Sequence, residues 1–304
     1  MKIQTTNLWL LAAFVISLCV NVQAQESSEE EGSVIQTLTP SKLIGKGQYD
    51  IKWFNNLYTQ TESTFSDGRE ARQTFFTSTL EAYTGVGNNK KWNVGVILEL
   101  RSNVIRDKWP LETLRFQNIE GERASGLTAF APSVKFVPFE SINNFSIQSS
   151  VFIPLVKDEV KDGVFLAQKS FRIQNRFFYD YTFPSKDWQI FAELNSEFSL
   201  GKDAEFNSDG VQVDGSFANN SLNLTPGIFL SYFPSSKFTI LALAQHSQRI
   251  DLGNNFEQDF TALGGGLKYQ LTKELNVETL YTNFVRGNNT GLGETFNLGL
   301  RLVL

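Results

Sequence analysis

The stretch 171–183 reads Phe-Arg-Ile-Gln-Asn-Arg-Phe-Phe-Tyr-Asp-Tyr-Thr-Phe and contains the pattern from which the fold is predicted. Apolar or aromatic residues take nearly every odd position, whereas Arg172, Arg176 and Asp180 take even positions. Successive side chains of a β-strand point to opposite faces, so this strand has one apolar and one polar face. A strand of about this length suits the tilted crossing of a bilayer.

The same alternation continues along the chain and predicts about twelve strands of roughly ten to thirteen residues. Short and long connections alternate between them, which predicts an all-β, antiparallel up-and-down barrel with both chain ends at the short turns. The alternative is a secreted β-sandwich, but its strands average about five or six residues. The predicted strands are 49–61, 72–84, 92–101, 127–137, 145–155, 171–183, 188–200, 222–233, 238–249, 259–271, 275–285 and 295–304.

Aromatic residues flank the predicted short turns, as in Tyr181-Thr-Phe-Pro-Ser-Lys-Asp-Trp188 and Tyr232-Phe-Pro-Ser-Ser-Lys-Phe238. With this pattern the chain from 48 to 304 resembles the Gram-negative outer-membrane β-barrels, including porin-like transporters. The resemblance implies an outer-membrane location with periplasmic termini, contact with outer-membrane lipid and lipopolysaccharide, and insertion by the barrel-assembly machinery. One departure is the C-terminus, which ends Leu302-Val303-Leu304 where such barrels usually end on an aromatic residue.

The first 24 residues are typical of an export signal: a positive charge at Lys2, an apolar run over 8–20 and a small residue at Ala24. A lipoprotein signal would need a small residue before Cys19, and Leu18 stands there. Residues 25–47 carry several glutamates among serines and predict a disordered acidic leader. The barrel domain is then 48–304.

Composition excludes several classes of protein. The chain has 304 residues with 27 Lys plus Arg against 32 Asp plus Glu, a net charge of −5, so it lacks the basic surplus of a nucleic-acid binder. Cys19 and Met1 both lie within the predicted signal, and their removal excludes disulfides and cysteine metal sites. We expect no cofactor.

The polar parity of each strand predicts the residues that line the lumen. A three-residue turn at 272–274 places Lys268 opposite Glu278 and, on the outer face, Gly265 opposite Tyr281. The turn before Trp188 places Arg176 opposite Asn195, between Glu193 and Glu197. Both signs nearly balance, which argues against a strongly ion-selective pore. The predicted lumen residues are Lys52, Glu81, Glu99, Arg101, Lys135, Arg172, Arg176, Asp180, Glu193, Glu197, Lys268, Glu278 and Arg301.

The long connection 102–126 is unusually apolar for an outer loop. Folding into the mouth would hide its apolar groups, so Trp109, Leu111, Leu114 and Phe116 form a candidate constriction. Packing against lipopolysaccharide or a partner protein would hide them equally well.

Candidate chemistry is sparse. His246 is the single histidine, and Ser247 beside it points to the opposite face of a regular strand. Twelve-stranded outer-membrane phospholipases use a His-x-Ser pattern, but position 248 is Gln. Asp203, Asp209 and Asp214 lack the spacing of a calcium loop. We expect neither a catalytic residue nor a metal site.

These patterns predict an outer-membrane channel for the passive passage of small solutes through a narrow, mixed-charge lumen. The solute itself is not identified. The first alternative is a non-conducting barrel that serves adhesion, envelope structure or complex assembly through its outer loops. A weaker third is a lipid-modifying enzyme.

Overall fold

The computed structural model describes residues 40–88 and 90–304, so the predicted signal and most of the predicted leader lie outside the described residues. Twelve antiparallel strands close into one barrel, which confirms the predicted fold. Each strand pairs with its neighbours in the chain, and the first pairs with the last. The strands are β1 Tyr49–Ser63, β2 Gln73–Val86, β3 Trp92–Val104, β4 Arg123–Phe136, β5 Phe145–Pro154, β6 Phe171–Thr182, β7 Trp188–Leu200, β8 Ser221–Tyr232, β9 Phe238–Asp251, β10 Glu257–Gln270, β11 Leu275–Asn288 and β12 Gly291–Val303.

The connections divide between two ends of the barrel. Those at the turn end span 87–91, 137–144, 183–187, 233–237 and 271–274. Those at the loop end span 64–72, 105–122, 155–170, 201–220, 252–256 and 289–290. The last of these is much shorter than the connection 286–294 that the predicted strand ends imply. The strands β11 and β12 extend into residues that are mostly polar or glycine, where apolar and polar side chains no longer alternate clearly.

The hairpin registers agree with those worked out from the sequence. Lys268 lies opposite Glu278, and Gly265 lies opposite Tyr281 on the other face. Arg176 lies opposite Asn195. A hairpin register follows from the length of its turn, which is why a sequence can fix these pairs.

Aromatic side chains ring the outer surface at the turn end. The ring of Trp92 stacks on Phe136 with centroids 4.9 Å apart, and Trp188 lies 4.7 Å from Tyr232. Aromatic girdles of this kind mark the edge of the apolar band of a membrane barrel. Within the described ranges, no helix is long and apolar enough to cross a membrane.

Candidate functional site

The charged residues predicted to line the lumen all have the inward parity of their strands. Arg101 pairs with Glu99, Glu197 with Arg172, and Lys135 and Asp180 are buried at the turn end. The others line one cavity of about 630 Å³ inside the barrel. These cavity-lining residues are Lys52, Glu81, Glu99, Arg172, Arg176, Glu193, Lys268, Glu278 and Arg301.

One side of the lumen is crossed by ion pairs from two arginines of β6. Arg176 binds Glu193 of β7 at 2.8 Å and reaches Glu81 of β2 at 3.6 Å. Arg172 binds Glu99 of β3 at 3.3 Å and Glu197 of β7 at 3.4 Å. Arg176 therefore reaches a strand four places away in the wall, and Arg172 reaches a strand three places away.

Apolar side chains pack on the inner wall beneath these ion pairs. Ile97, Ala129, Ala131 and Phe152 form a buried cluster on the inner faces of β3, β4 and β5. The guanidinium carbon of Arg172 lies 4.6 Å from the ring centre of Phe152, within cation–π range. We call this region, the inner faces of β2–β6, the filled half of the lumen.

The opposite inner faces, β7–β12, form the open half and carry most of the apolar side chains that line the cavity, together with polar ones such as Gln245 and Asn276. Phe260 and Phe284 stack with ring centres 4.1 Å apart, and Phe191 lies 5.5 Å from Phe229. Sequence reasoning missed these residues because they interrupt the polar parity. The signal was present in unbroken apolar runs such as 240–244, where both faces of the strand are apolar. The inward-facing apolar cavity residues of this half are Phe191, Phe229, Phe233, Leu241, Leu243, Phe260, Leu280 and Phe284.

The end of the predicted leader enters the filled half from the turn end. Ser41 donates a hydrogen bond to Asp180, and the Lys42 ammonium lies 3.3 Å from the same carboxylate. Asn93 bonds both backbone groups of Ile44, accepting from its N–H at 3.1 Å and donating to its carbonyl at 2.9 Å. Residues 40–47, expected to be disordered, are therefore held by polar groups of the inner wall.

Gly85 is the position that makes room for this segment. A Cβ atom on Gly85 would overlap the carbonyl oxygen of Gly45 and lie 2.7 Å from that of Ile44. The backbone of the segment also bridges to the wall between Lys46 and Gly85. A side chain at 85 would thus push the segment off the wall.

At the loop end, the connection 155–170 packs over the filled half. Val164 and Leu166 form a buried cluster with Ala124, which faces inward from β4. Asn103, inward on β3, donates a hydrogen bond of 2.7 Å to the carbonyl of Phe165. The filled half is therefore covered by a loop at one end and by residues 40–47 at the other.

The connection predicted to narrow the mouth takes a different course. Trp109, Leu111, Leu114 and Phe116 do not line the cavity. Phe116 instead packs edge-on against Phe76, an outward-facing residue of β2, with ring centres 5.9 Å apart. Inward folding does not occur because this connection finds its partners on the outer wall.

The candidate chemical groups do not assemble into a catalytic or metal site. His246 faces outward, with Nδ1 3.0 Å from Oγ1 of Thr261, while Ser247 faces inward and donates to Asn223. In the loop 201–220, Lys202 donates a hydrogen bond to Asp214 and holds the pKa of that carboxyl below its ordinary value. Over residues 40–88 and 90–304, no three His, Cys, Asp or Glu side chains cluster at a metal-binding spacing.

Solved barrels resemble this one in fold. An outer membrane channel from Pseudomonas putida F1 aligns with a TM-score of 0.64 over 92% of this chain and 100% of its own, at 9% identity. The β domain of the Bordetella autotransporter BrkA aligns with a TM-score of 0.56 over 84% and 99%, at 14% identity. Identities this low establish the fold alone. No protein-family model and no curated protein matches the chain.

Proposed function

We propose that the protein is a passive channel for small solutes in the outer membrane of a Gram-negative bacterium, with the turn end and both chain termini in the periplasm. The observation that carries this proposal is the cavity of about 630 Å³ beside the ion pairs in the open half. Along β11 the cavity extends from Asn276 to Phe284. That is about 20 Å along the barrel axis for a tilted strand.

The two walls of this path differ in chemistry. A solute in the cavity contacts Phe229, Phe260 and other apolar groups on one side, and the paired charges of Arg176 and Glu81 on the other. Because Arg172, Arg176, Glu81 and Glu99 of the filled half each have a partner of opposite sign, the path lacks the single-sign ring of a strongly selective pore. We expect small uncharged or amphipathic solutes to pass more readily than multivalent ions.

Solute uptake into vesicles tests this proposal. The protein is reconstituted in liposomes, and swelling is followed in iso-osmotic uncharged solutes of increasing size, with protein-free liposomes as the control. We expect swelling with the smallest solutes and a steep loss with size, because half of the lumen is filled. Correctly folded barrels that give no swelling with any solute would overturn the proposal.

A second candidate is the non-conducting barrel. The specific observation in its favour is the filled half, which is closed by packed side chains, by the loop 155–170 and by residues 40–47. Under this function the cavity would be enclosed and the outer loops would carry the activity. The swelling experiment separates the two functions, since only the channel admits solutes.

A further inference from the structure

The connection 105–122, which we call the outer-wall segment, lies on the outside of the barrel at the loop end. It contains a 3₁₀ helix, Pro110–Arg115, and contacts β2 and β3. The segment covers two rows of outward-facing residues that run across β2, β3 and β4, and every one of them is buried. The rows are Phe76, Ser102 and Ser125, then Thr74, Val104 and Arg123.

Specific bonds hold the outer-wall segment against polar groups of these rows. The Ser102 hydroxyl donates to the carbonyl of Thr113 at 2.7 Å, and the backbone N–H of Ser125 donates to Oδ1 of Asn118 at 2.8 Å. Arg123 pairs with Glu112 at 2.7 Å. The Ser102 hydroxyl and the Ser125 N–H are thus bonded within the protein, as groups that face hydrocarbon require, whereas Nε and one terminal nitrogen of the buried Arg123 have no hydrogen-bond partner.

The height of these rows places them at the border of the apolar band. Ser102 lies ten residues beyond Trp92, which belongs to the aromatic ring at the turn end. Ten residues of a strand tilted by about 40° rise roughly 25 Å, the height of the apolar band of an outer-membrane barrel. The rows under the segment therefore lie at the opposite edge of the band.

The exposed residues of the outer-wall segment include an apolar group, flanked by the exposed charges of Arg106, Asp107, Arg115 and Glu120. Trp109 is 67% exposed, and Leu111 and Leu114, three residues apart on the 3₁₀ helix, are 44% and 45% exposed. Ile119 is exposed as well. Below them on the outer wall are Leu100 and the exposed Leu127 of β3 and β4, which lie opposite each other. The apolar surface of the segment thus continues the lipid-facing wall upward instead of interrupting it.

We propose that the outer-wall segment is a membrane-embedded cover whose Trp109, Leu111 and Leu114 side chains contact the acyl chains of the leaflet at the loop end. Lipid is the occupant because the patch lies on the outer wall at the height of the band edge and is continuous with the lipid-facing surface. Tryptophan is typical of this interfacial depth. In the proposed orientation, this leaflet is the outer one.

Site-directed spin labelling in liposomes tests the proposal. Leu111→Cys and Leu114→Cys are made separately in chains lacking residues 1–24, so that each has one cysteine, and labelled with a nitroxide. Val96→Cys, on the lipid-facing wall of β3, and Ser208→Cys, in the exposed loop 201–220, serve as matched controls. Relaxation by oxygen, which concentrates in lipid, is compared with relaxation by a water-soluble nickel complex. Heat-modifiable gel mobility confirms that each barrel has folded.

We expect positions 111 and 114 to behave like 96, with the ratio of oxygen to nickel accessibility several-fold above that at 208. A ratio equal to that at 208 would place the segment in water and overturn the proposal. Low accessibility to both reagents would also overturn it, because it would mean that a second copy of the chain or another protein surface covers the patch. Since the labelled side chains are exposed in the structure, the substitutions leave the barrel packing intact.

Discussion

The filled and open halves of the lumen are formed by different strands of one barrel, β2–β6 and β7–β12, and differ in how their side chains use the interior. In the filled half, Arg172 and Arg176 reach across to Glu99 and Glu81 over a layer of alanine, isoleucine and phenylalanine. In the open half, aromatic side chains such as Phe260 and Phe284 stack along the wall and leave the centre free. Ion pairs between distant strands therefore fill one side of the lumen. On the other side the stacked rings lie along the wall, and a cavity remains beside them.

From this difference we predict which side chains stabilise the barrel and which only border the solute path. Long side chains with partners on distant strands tie the wall together across the lumen, whereas rings stacked on neighbouring strands tie only adjacent strands. Removing a cross-lumen group should affect stability strongly. Changes at the edge of the open half should affect it little.

The largest effect is expected from Arg176→Ala. The substitution leaves Glu193 and Glu81 without their shared cation, and breaking a largely buried ion pair costs about 3 kcal/mol. Urea unfolding in lipid vesicles measures the loss. In bilayer recordings, the uncompensated Glu193, beside a Glu81 that keeps only Lys52 at 3.8 Å, should also shift the reversal potential toward cation selectivity.

Arg286→Ala is the matched control for this substitution. Arg286 binds a single carboxylate, that of Asp259, and its side chain is mostly exposed at the loop end. Removing this ion pair should therefore cost less than about 1 kcal/mol of stability. Equal destabilisation by the two substitutions would show that the cross-lumen ion pairs have no special role.

The next effect is expected from Gly85→Val, which tests the contact between the filled half and residues 40–47. The valine side chain would occupy the space of the Gly45 carbonyl and displace the segment. Trypsin should then cleave after Lys42 in the folded protein at least about tenfold faster, since proteolysis tracks the population of the displaced form. Mass spectrometry of the products measures this rate.

Ala82→Val, on the outer face of the same strand, adds a similar volume away from the segment and should leave the cleavage rate unchanged. If Gly85→Val also leaves it unchanged, residues 40–47 are not held by the contacts seen at the turn end.

The sequence predicted which residues pair across a short turn, but it did not predict where the long connection 105–122 packs. The pairs Lys268–Glu278 and Gly265–Tyr281 follow from the length of one turn. The course of the outer-wall segment does not, because an apolar loop gains similar burial in the mouth or on the wall, and the choice depends on partners such as Ser102 from distant strands. Phe229 was missed because alternation assigns its inward position to a polar residue.

The smallest effect is expected at Lys268 and Glu278, an ion pair of the open half. The two side chains lie directly opposite each other on adjacent strands and form one ion pair, so their coupling should be about 0.2–1 kcal/mol. A double-mutant cycle with Lys268→Met and Glu278→Gln measures it from urea unfolding. A coupling as large as the Arg176 effect would remove the distinction between the two halves.

Single-channel recording in planar bilayers tests whether the open half is a solute path and whether residues 40–47, which cover the filled half and border the cavity at Pro40, narrow the lumen at the turn end. Two forms are compared, one beginning at Gln25 and one at Gln48, each shown to be folded by heat-modifiable mobility. We predict discrete conductance steps from both forms and larger steps from the shorter one. If both forms fold and neither gives conductance steps, the open half is not a solute path.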